Sequence, residues 1–281
     1  MSYITQSKEY LTGYDFNANA DKKHAGFVML GGIALYELTK DDEVKKILVD
    51  YADECLNPDG SIKDYDASEY GIACFIPGRV YLFAYEITGD EKYKKAAELL
   101  IEQLKSQPRN EMGLFVKKSK DGNEGTMPCY NGCDALYPFY AVYGTKYDKK
   151  ENYNDLVALM KALYKYSDIN NLSTKKLTMY ACVLADVTKE VSEEIYEHKR
   201  AIADMLKSVC KELVKREDLD NADKIMAAKA LLKAGKEHAI LSEKYVGTAI
   251  KYYNEACNEA ATPMHVGALI EAAALCSVFE N

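Results

Sequence analysis

The sequence predicts an all-α protein, an (α/α)6 six-hairpin toroid in which one domain spans residues 1–281. Three features carry this reading. A unit repeats along the chain, its helical segments alternate between mostly apolar and amphipathic, and alternating β-branched runs are scarce outside short stretches such as "GLFVKK" at 113–118.

The repeat is plainest between "GGIALYELTKDDEVKKILVDYADECL" at 31–56 and "GRVYLFAYEITGDEKYKKAAELLIEQL" at 78–104. At an offset of 49 residues, Tyr36, Glu37, Thr39, Asp41, Lys45 and Lys46 match Tyr85, Glu86, Thr88, Asp90, Lys94 and Lys95. Each unit reads as an apolar helix, a tight Thr-x-Asp turn and an amphipathic helix with apolar residues three and four apart. "DALYPFYAVYGTKYDKKENYNDLVALMKALYKY" at 134–166 follows the same plan with a longer turn. "TKKLTMYACVLADV" then leads to "SEEIYEHKRAIADMLKSVCKELVKR", and "NADKIMAAKALLKAG" leads to "HAILSEKYVGTAIKYYNEA". The last apolar helix, "TPMHVGALIEAAALCSVF", has the N-terminal "SKEYLTGY" as its outer partner. Six such units average about 47 residues over a chain of 281.

Composition narrows the function. The chain is 48% hydrophobic and 28% charged with a formal net charge of −8, an ordinary mildly acidic globular balance. No basic patch stands out to neutralise phosphates, so nucleic acid is not an expected partner. No stretch reaches the roughly 18–20 apolar residues of a membrane span, and the first residues lack a basic region followed by an apolar core. The expectation is a cytoplasmic protein with no membrane partner. Eight cysteines are scattered, mostly within apolar helical patterns, where a reduced thiol packs as a small hydrophobe. Cys129 and Cys133 form the one close pair, in "CYNGC", with no second pair or histidine beside it, so no metal is expected. Phosphate loops, dinucleotide fingerprints, Gly-x-Ser-x-Gly and His-Glu-x-x-His are absent, and no cofactor is expected. Twenty-three tyrosines against seven phenylalanines and no tryptophan suit a sugar site, since tyrosine offers a ring face and a hydroxyl.

In a toroid of like-handed hairpins the inner helices run parallel, so their N-termini converge on one mouth. Their unpaired N–H groups favour an anionic ligand there. His24, Cys74 and Arg79, Tyr130 and Asp134, Lys175 and Lys176, Asp223 and Lys224, and His265 fall at or just before those ends. Arg79 suits a bidentate carboxylate clamp, and its alternative is an ion pair with a nearby acid. His24 and His265 suit orienting a carboxylate or a water, and a half-buried structural imidazole is the alternative for His265. The expected partner is an oligosaccharide or other small anionic ligand. Asp134, four residues before Pro138, reads from its position as a helix N-cap.

"IPGRVYLFAYEITGDEKYKKAAELLIEQLKSQPRNEMGLFVKK" together with "CDALYPFYAVYG" resembles the unsaturated rhamnogalacturonyl hydrolases and the related unsaturated glucuronyl hydrolases. The likeness is best over residues 24–166, and "HVGALIEAAA" is similar to the last inner helix of that family. The resemblance implies a six-hairpin barrel that hydrates the carbon–carbon double bond of a terminal unsaturated uronic acid. An aspartate protonates the vinyl ether, water adds, and the hemiketal collapses to release the next sugar. The resemblance places that aspartate on Asp134 of "GCDALY"; His24, Arg79, Tyr130 and His265, at the converging helix ends, are then expected to line the substrate mouth. Departures are equally specific: Gly132 stands at a tryptophan position, Ala73 and Cys74 where the family has a second aspartate, and Val116 at a histidine position. Asp66 and Glu69 are the local candidates to replace the second carboxylate. The alternatives are a barrel that has lost catalysis and binds carbohydrate or acts as a scaffold, and another sugar enzyme of the same barrel class, such as an epimerase.

Overall fold

In the computed structural model, residues 1–16, 22–118, 124–126, 133–238, 243–259 and 262–280 are described. Their twelve α-helices are α1 Tyr3–Thr12, α2 Lys22–Thr39, α3 Asp42–Cys55, α4 Gly78–Thr88, α5 Glu91–Ser106, α6 Cys133–Lys146, α7 Lys150–Ser167, α8 Thr174–Glu190, α9 Tyr196–Leu213, α10 Asn221–His238, α11 Glu243–Ala256 and α12 Pro263–Cys276. The even-numbered helices form the inner ring. Each packs on the next, α2 on α4, α4 on α6, α6 on α8, α8 on α10 and α10 on α12, and α12 returns to α2. The odd-numbered helices lie outside: α3 rests on α2 and α4, α9 on α8 and α10, and α1 on α12 and α2. This is the (α/α)6 toroid that the repeat predicts.

The repeated Thr-x-Asp turns are built alike. The Thr39 hydroxyl donates to the Leu35 carbonyl and accepts the Asp41 N–H; Thr88 does the same with Ala84 and Asp90. Asp41 and Asp90 then cap α3 and α5 by accepting backbone N–H groups of the first turn, which satisfies donors the helix leaves unpaired. The residue between Thr and Asp is left-handed in both copies, with φ of 54° at Lys40 and 72° at Gly89. That conformation is the usual way to end a helix sharply.

The ring closes where backbones nearly touch. A Cβ on Gly267 of α12 would sit 2.0 Å from the Phe27 carbonyl oxygen of α2, and one on Gly31 of α2 would sit 2.4 Å from the Gly267 carbonyl oxygen. Only residues without a side chain permit this approach. The outer helices are amphipathic and bury one stripe each, such as Val44, Leu48, Tyr51, Ala52 and Cys55 of α3.

One inner helix departs from the pattern. α4 has 11 residues where α8 has 17, about 9 Å less at 1.5 Å per residue. The segment before it, with short 3-10 turns at Ala67–Glu69 and Ala73–Phe75, lines one side of the mouth. "GLFVKK" supplies the strand β1 Val116–Lys118, paired antiparallel with β2 Glu124–Thr126. No described helix is long and apolar enough to cross a membrane.

Candidate active site

The first turns of α2, α6 and α12, a residue of α8 and the segment before α4 line a cavity of about 660 Å³, ample for a disaccharide-sized ligand. α2 contributes Lys23, His24 and Phe27, α6 contributes Asp134 and Ala135, and Met179 and Met264 come from α8 and α12. The segment before α4 adds Asp64, Tyr65, Asp66, Glu69 and Cys74.

Asp134 lies in the first turn of α6, one residue after its start at Cys133. Pro138 lies inside the helix. Having no N–H, it leaves the Asp134 carbonyl without its intrahelical partner. The carboxyl Oδ2 of Asp134 is buried and has no hydrogen-bond partner among the described residues. Burial pushes this carboxyl up to about 6; the Asp186 charge acts in the same direction, while Lys229 and the N–H groups of Asp134 and Ala135 oppose it. Desolvation thus does most of what a neighbouring carboxylate does in other acid sites.

Asp66 and Glu69 line the same cavity. Asp66, however, accepts the Ser68 N–H at 2.8 Å and the Ser68 hydroxyl at 2.6 Å, and these bonds hold it below the usual carboxylate range. Asp186 of α8 is the carboxylate that raises Asp134. Ala73 and Cys74 form part of the wall, and burial pushes the Cys74 thiol up to about 12, so it packs as an uncharged group. Val116 is buried in β1.

The other expected site residues are placed differently from one another. His24 lines the cavity beside Lys23, whose Nζ donates to the Asp64 carbonyl at 2.9 Å. Tyr130 lies outside the described residues, as do Cys129 and Gly132. His265 is not among the cavity-lining residues; its N–H donates to the Thr262 hydroxyl that caps α12. Burial holds its imidazole below the ordinary value, with Lys175 acting the same way and Asp220 against.

Arg79 is also absent from the cavity wall. Its guanidinium is 3.3 Å from Asp186 and 3.1 Å from Glu190, and its side chain is only 10% exposed. It is therefore the ion-pair alternative, realised with acids more than a hundred positions further on. Around it lies a network that sequence reasoning missed. Lys229 Nζ is 3.2 Å from both Asp186 Oδ2 and Glu271 Oε2, and Lys233 pairs with the same two carboxylates. Burial works against the charge on Asp186, but Lys229, Lys233 and Arg79 outweigh it and hold the carboxyl far below its usual range. The network joins α4, α8, α10 and α12 across the barrel axis. The available signal was single charges on otherwise apolar helices: Lys229 and Lys233 in "AAKALLKAG" and Glu271 in "ALIEAAA".

The family model for Glycosyl Hydrolase Family 88 matches residues 2–178. Among solved structures, the chain is similar to a C. acetobutylicum ATCC 824 glycoside hydrolase from family 105, with a TM-score of 0.85 at 18% identity over 99% of this chain and 100% of that one. An unsaturated glucuronyl hydrolase specific for heparin has a TM-score of 0.62 at 13% identity, covering 99% of this chain and 95% of that one. An inactive variant of the α-1,6-mannanase of Salegentibacter sp. HEL1_6, in complex with α-1,6-mannotriose, has a TM-score of 0.70 at 12% identity over 99% of each chain. At such identities these likenesses concern the fold. No curated protein matches the chain.

Proposed function

The chain belongs to Glycosyl Hydrolase Family 88, and on that footing we propose that it releases a terminal unsaturated uronic acid from oligosaccharides by hydrating the sugar's double bond, with Asp134 as proton donor. The observation that carries this reading is the buried, unpartnered Oδ2 of Asp134 at a sugar-sized cavity, on a carboxyl that keeps its proton up to about pH 6. Protonating a carbon of an enol ether requires an acid that is neutral yet reactive near working pH, and a desolvated carboxyl meets that need. Proton transfer to the alkene carbon leaves an oxocarbenium-like centre beside the ring oxygen. Water adds there and returns its proton to the Asp134 carboxylate. The hemiketal then opens and frees the adjoining sugar, with no net proton change.

The uronate carboxylate is best received by Lys23 and His24, which line the cavity at the start of α2, where the helix end also favours an anion. Tyr65 and Phe27 offer ring faces to the sugar. Tyr130 stays in the proposed site through its place in the sequence just before α6. Arg79 acts below the site rather than on the substrate.

The test follows the absorbance of the unsaturated uronide while purified protein meets unsaturated disaccharides from pectin, rhamnogalacturonan and glycosaminoglycan digests. Consumption by the native protein, lost in Asp134→Asn, supports the reading. The second reading, a barrel that binds carbohydrate without turnover, draws on Ala73 and Cys74 in the wall where the resemblance implies a second aspartate. It wins if none of these disaccharides is consumed while one of them still raises the melting temperature.

A further inference from the structure

Beneath the main cavity lies a second one of about 20 Å³, between α2, α6, α8, α10 and α12. Asp134, Asp186, Lys229 and Glu271 are the charged residues in its wall. A single water needs roughly 10–15 Å³ of such space and two to four polar partners. Asp134 Oδ2 is buried without a hydrogen-bond partner among the described residues, and an orphaned buried oxygen costs about 1–3 kcal/mol unless something satisfies it. An ammonium carries three protons, and Asp186 and Glu271, each 3.2 Å from Lys229 Nζ, take two of them.

We propose that Lys229 is a positioning residue for Asp134: through one water seated in this small cavity it fixes the carboxyl and governs how readily the carboxyl gives up its proton. The water accepts from the Lys229 ammonium and donates to Asp134 Oδ2, with Asp186 or Glu271 taking its second proton. Donor, acceptor and cavity size then agree, and Asp134 Oδ2 gains the partner it lacks among the described residues.

Other charges face Asp134 from every element around it. Lys23 and His24 look into the upper cavity from α2; Asp64, Asp66, Glu69 and Cys74 do so from the segment before α4. From below come Asp186 of α8, Lys229 of α10 and Glu271 of α12, with Arg79 of α4 and Lys233 behind them. The Lys229 charge favours the Asp134 anion, whereas Asp186 disfavours it. Removing the Lys229 charge therefore raises the Asp134 titration on two counts: it deletes the favourable charge and leaves Asp186 less neutralised.

This rests on the reading of Asp134 as proton donor, but its test needs no substrate. In protein labelled with carboxyl-13C aspartate, the Asp134 signal is identified by its loss in Asp134→Asn and followed by NMR against pH. Lys229→Met is expected to raise the midpoint by about one unit or more, and Lys229→Arg, which keeps the charge, to leave it within about 0.3 units. A crystal structure of the native protein is expected to show an ordered water between Asp134 and Lys229; it decides the matter by itself should Lys229→Met fail to fold. A midpoint unmoved in a folded Lys229→Met protein, or a dry cavity in the crystal, overturns the proposal.

Discussion

Asp134 and Asp186 border one small cavity with their ionisation pushed in opposite directions. Asp186 is held charged by Lys229, Lys233 and Arg79 against the cost of its burial. Asp134 is buried, its Oδ2 without a hydrogen-bond partner among the described residues, and so retains its proton to higher pH. Two carboxyls whose surroundings push their ionisation apart are the usual basis of acid–base assignment. Asp186 belongs to the ion-pair scaffold and Asp134 faces the bowl.

From the raised ionisation of Asp134 follows a pH profile. Asp134 donates only when protonated, so kcat/KM for an unsaturated disaccharide is expected to fall as pH rises through about 6, approaching tenfold per unit at higher pH. Initial rates between pH 4.5 and 8.5 give the limb. A rate that climbs through this window assigns the donor elsewhere.

Stability should move oppositely to activity in Asp134→Asn. The folded-state value of about 6 lies above the ordinary 3.8. Asp134 is therefore harmless to the fold below about pH 4, and its cost grows as pH rises from the unfolded value to the folded one. Above pH 6 the cost reaches an upper bound of roughly 3 kcal/mol. Urea unfolding is expected to show the variant more stable than the native protein by about 1–3 kcal/mol at pH 7.5, with no such gain at pH 4.

Arg79→Met separates a scaffold role from a substrate clamp. It strips a guanidinium from Asp186 and Glu190, and breaking a buried pair costs about 3–5 kcal/mol. The expected result is a large loss in urea unfolding with KM nearly unchanged in the folded fraction. A raised KM with native stability would return Arg79 to the substrate.

Gly267→Ala and Gly247→Ala form a matched pair on the fold. A Cβ at Gly267 meets the Phe27 backbone at 2.0 Å, whereas nothing lies within 4 Å of one at Gly247. The first should destabilise by about 3 kcal/mol or more through overpacking at the ring closure. The second, mid-helix on α11, should stabilise by up to about 1 kcal/mol. Thermal melts of both variants measure the contrast.

The hairpins were legible because local rules make them: Thr39 with Asp41 and Thr88 with Asp90 close the same turn twice, and that chemistry is written in adjacent letters. Closure of the ring was legible from the count of units. What could not be read was which buried charge meets which. Arg79 showed itself as a candidate clamp, yet its partners lie on α8, and only the closed toroid brings that helix across. The resemblance points to Asp134 in "CDALY", but its burial and its shared cavity with Lys229 depend on four other helices. Asp66 and Glu69 illustrate the reverse: nearness in the same cavity was foreseeable, whereas the Ser68 bonds that keep Asp66 an anion are a matter of local turn geometry.

The most direct measurement runs the reaction in D2O and examines the released uronic acid product by NMR. Hydration through Asp134 transfers one solvent-derived deuteron to the former alkene carbon, so the product is expected to carry a single deuterium there, and Asp134→Asn to yield none. Release of the adjoining sugar with the double bond intact and no deuterium on carbon would contradict the account.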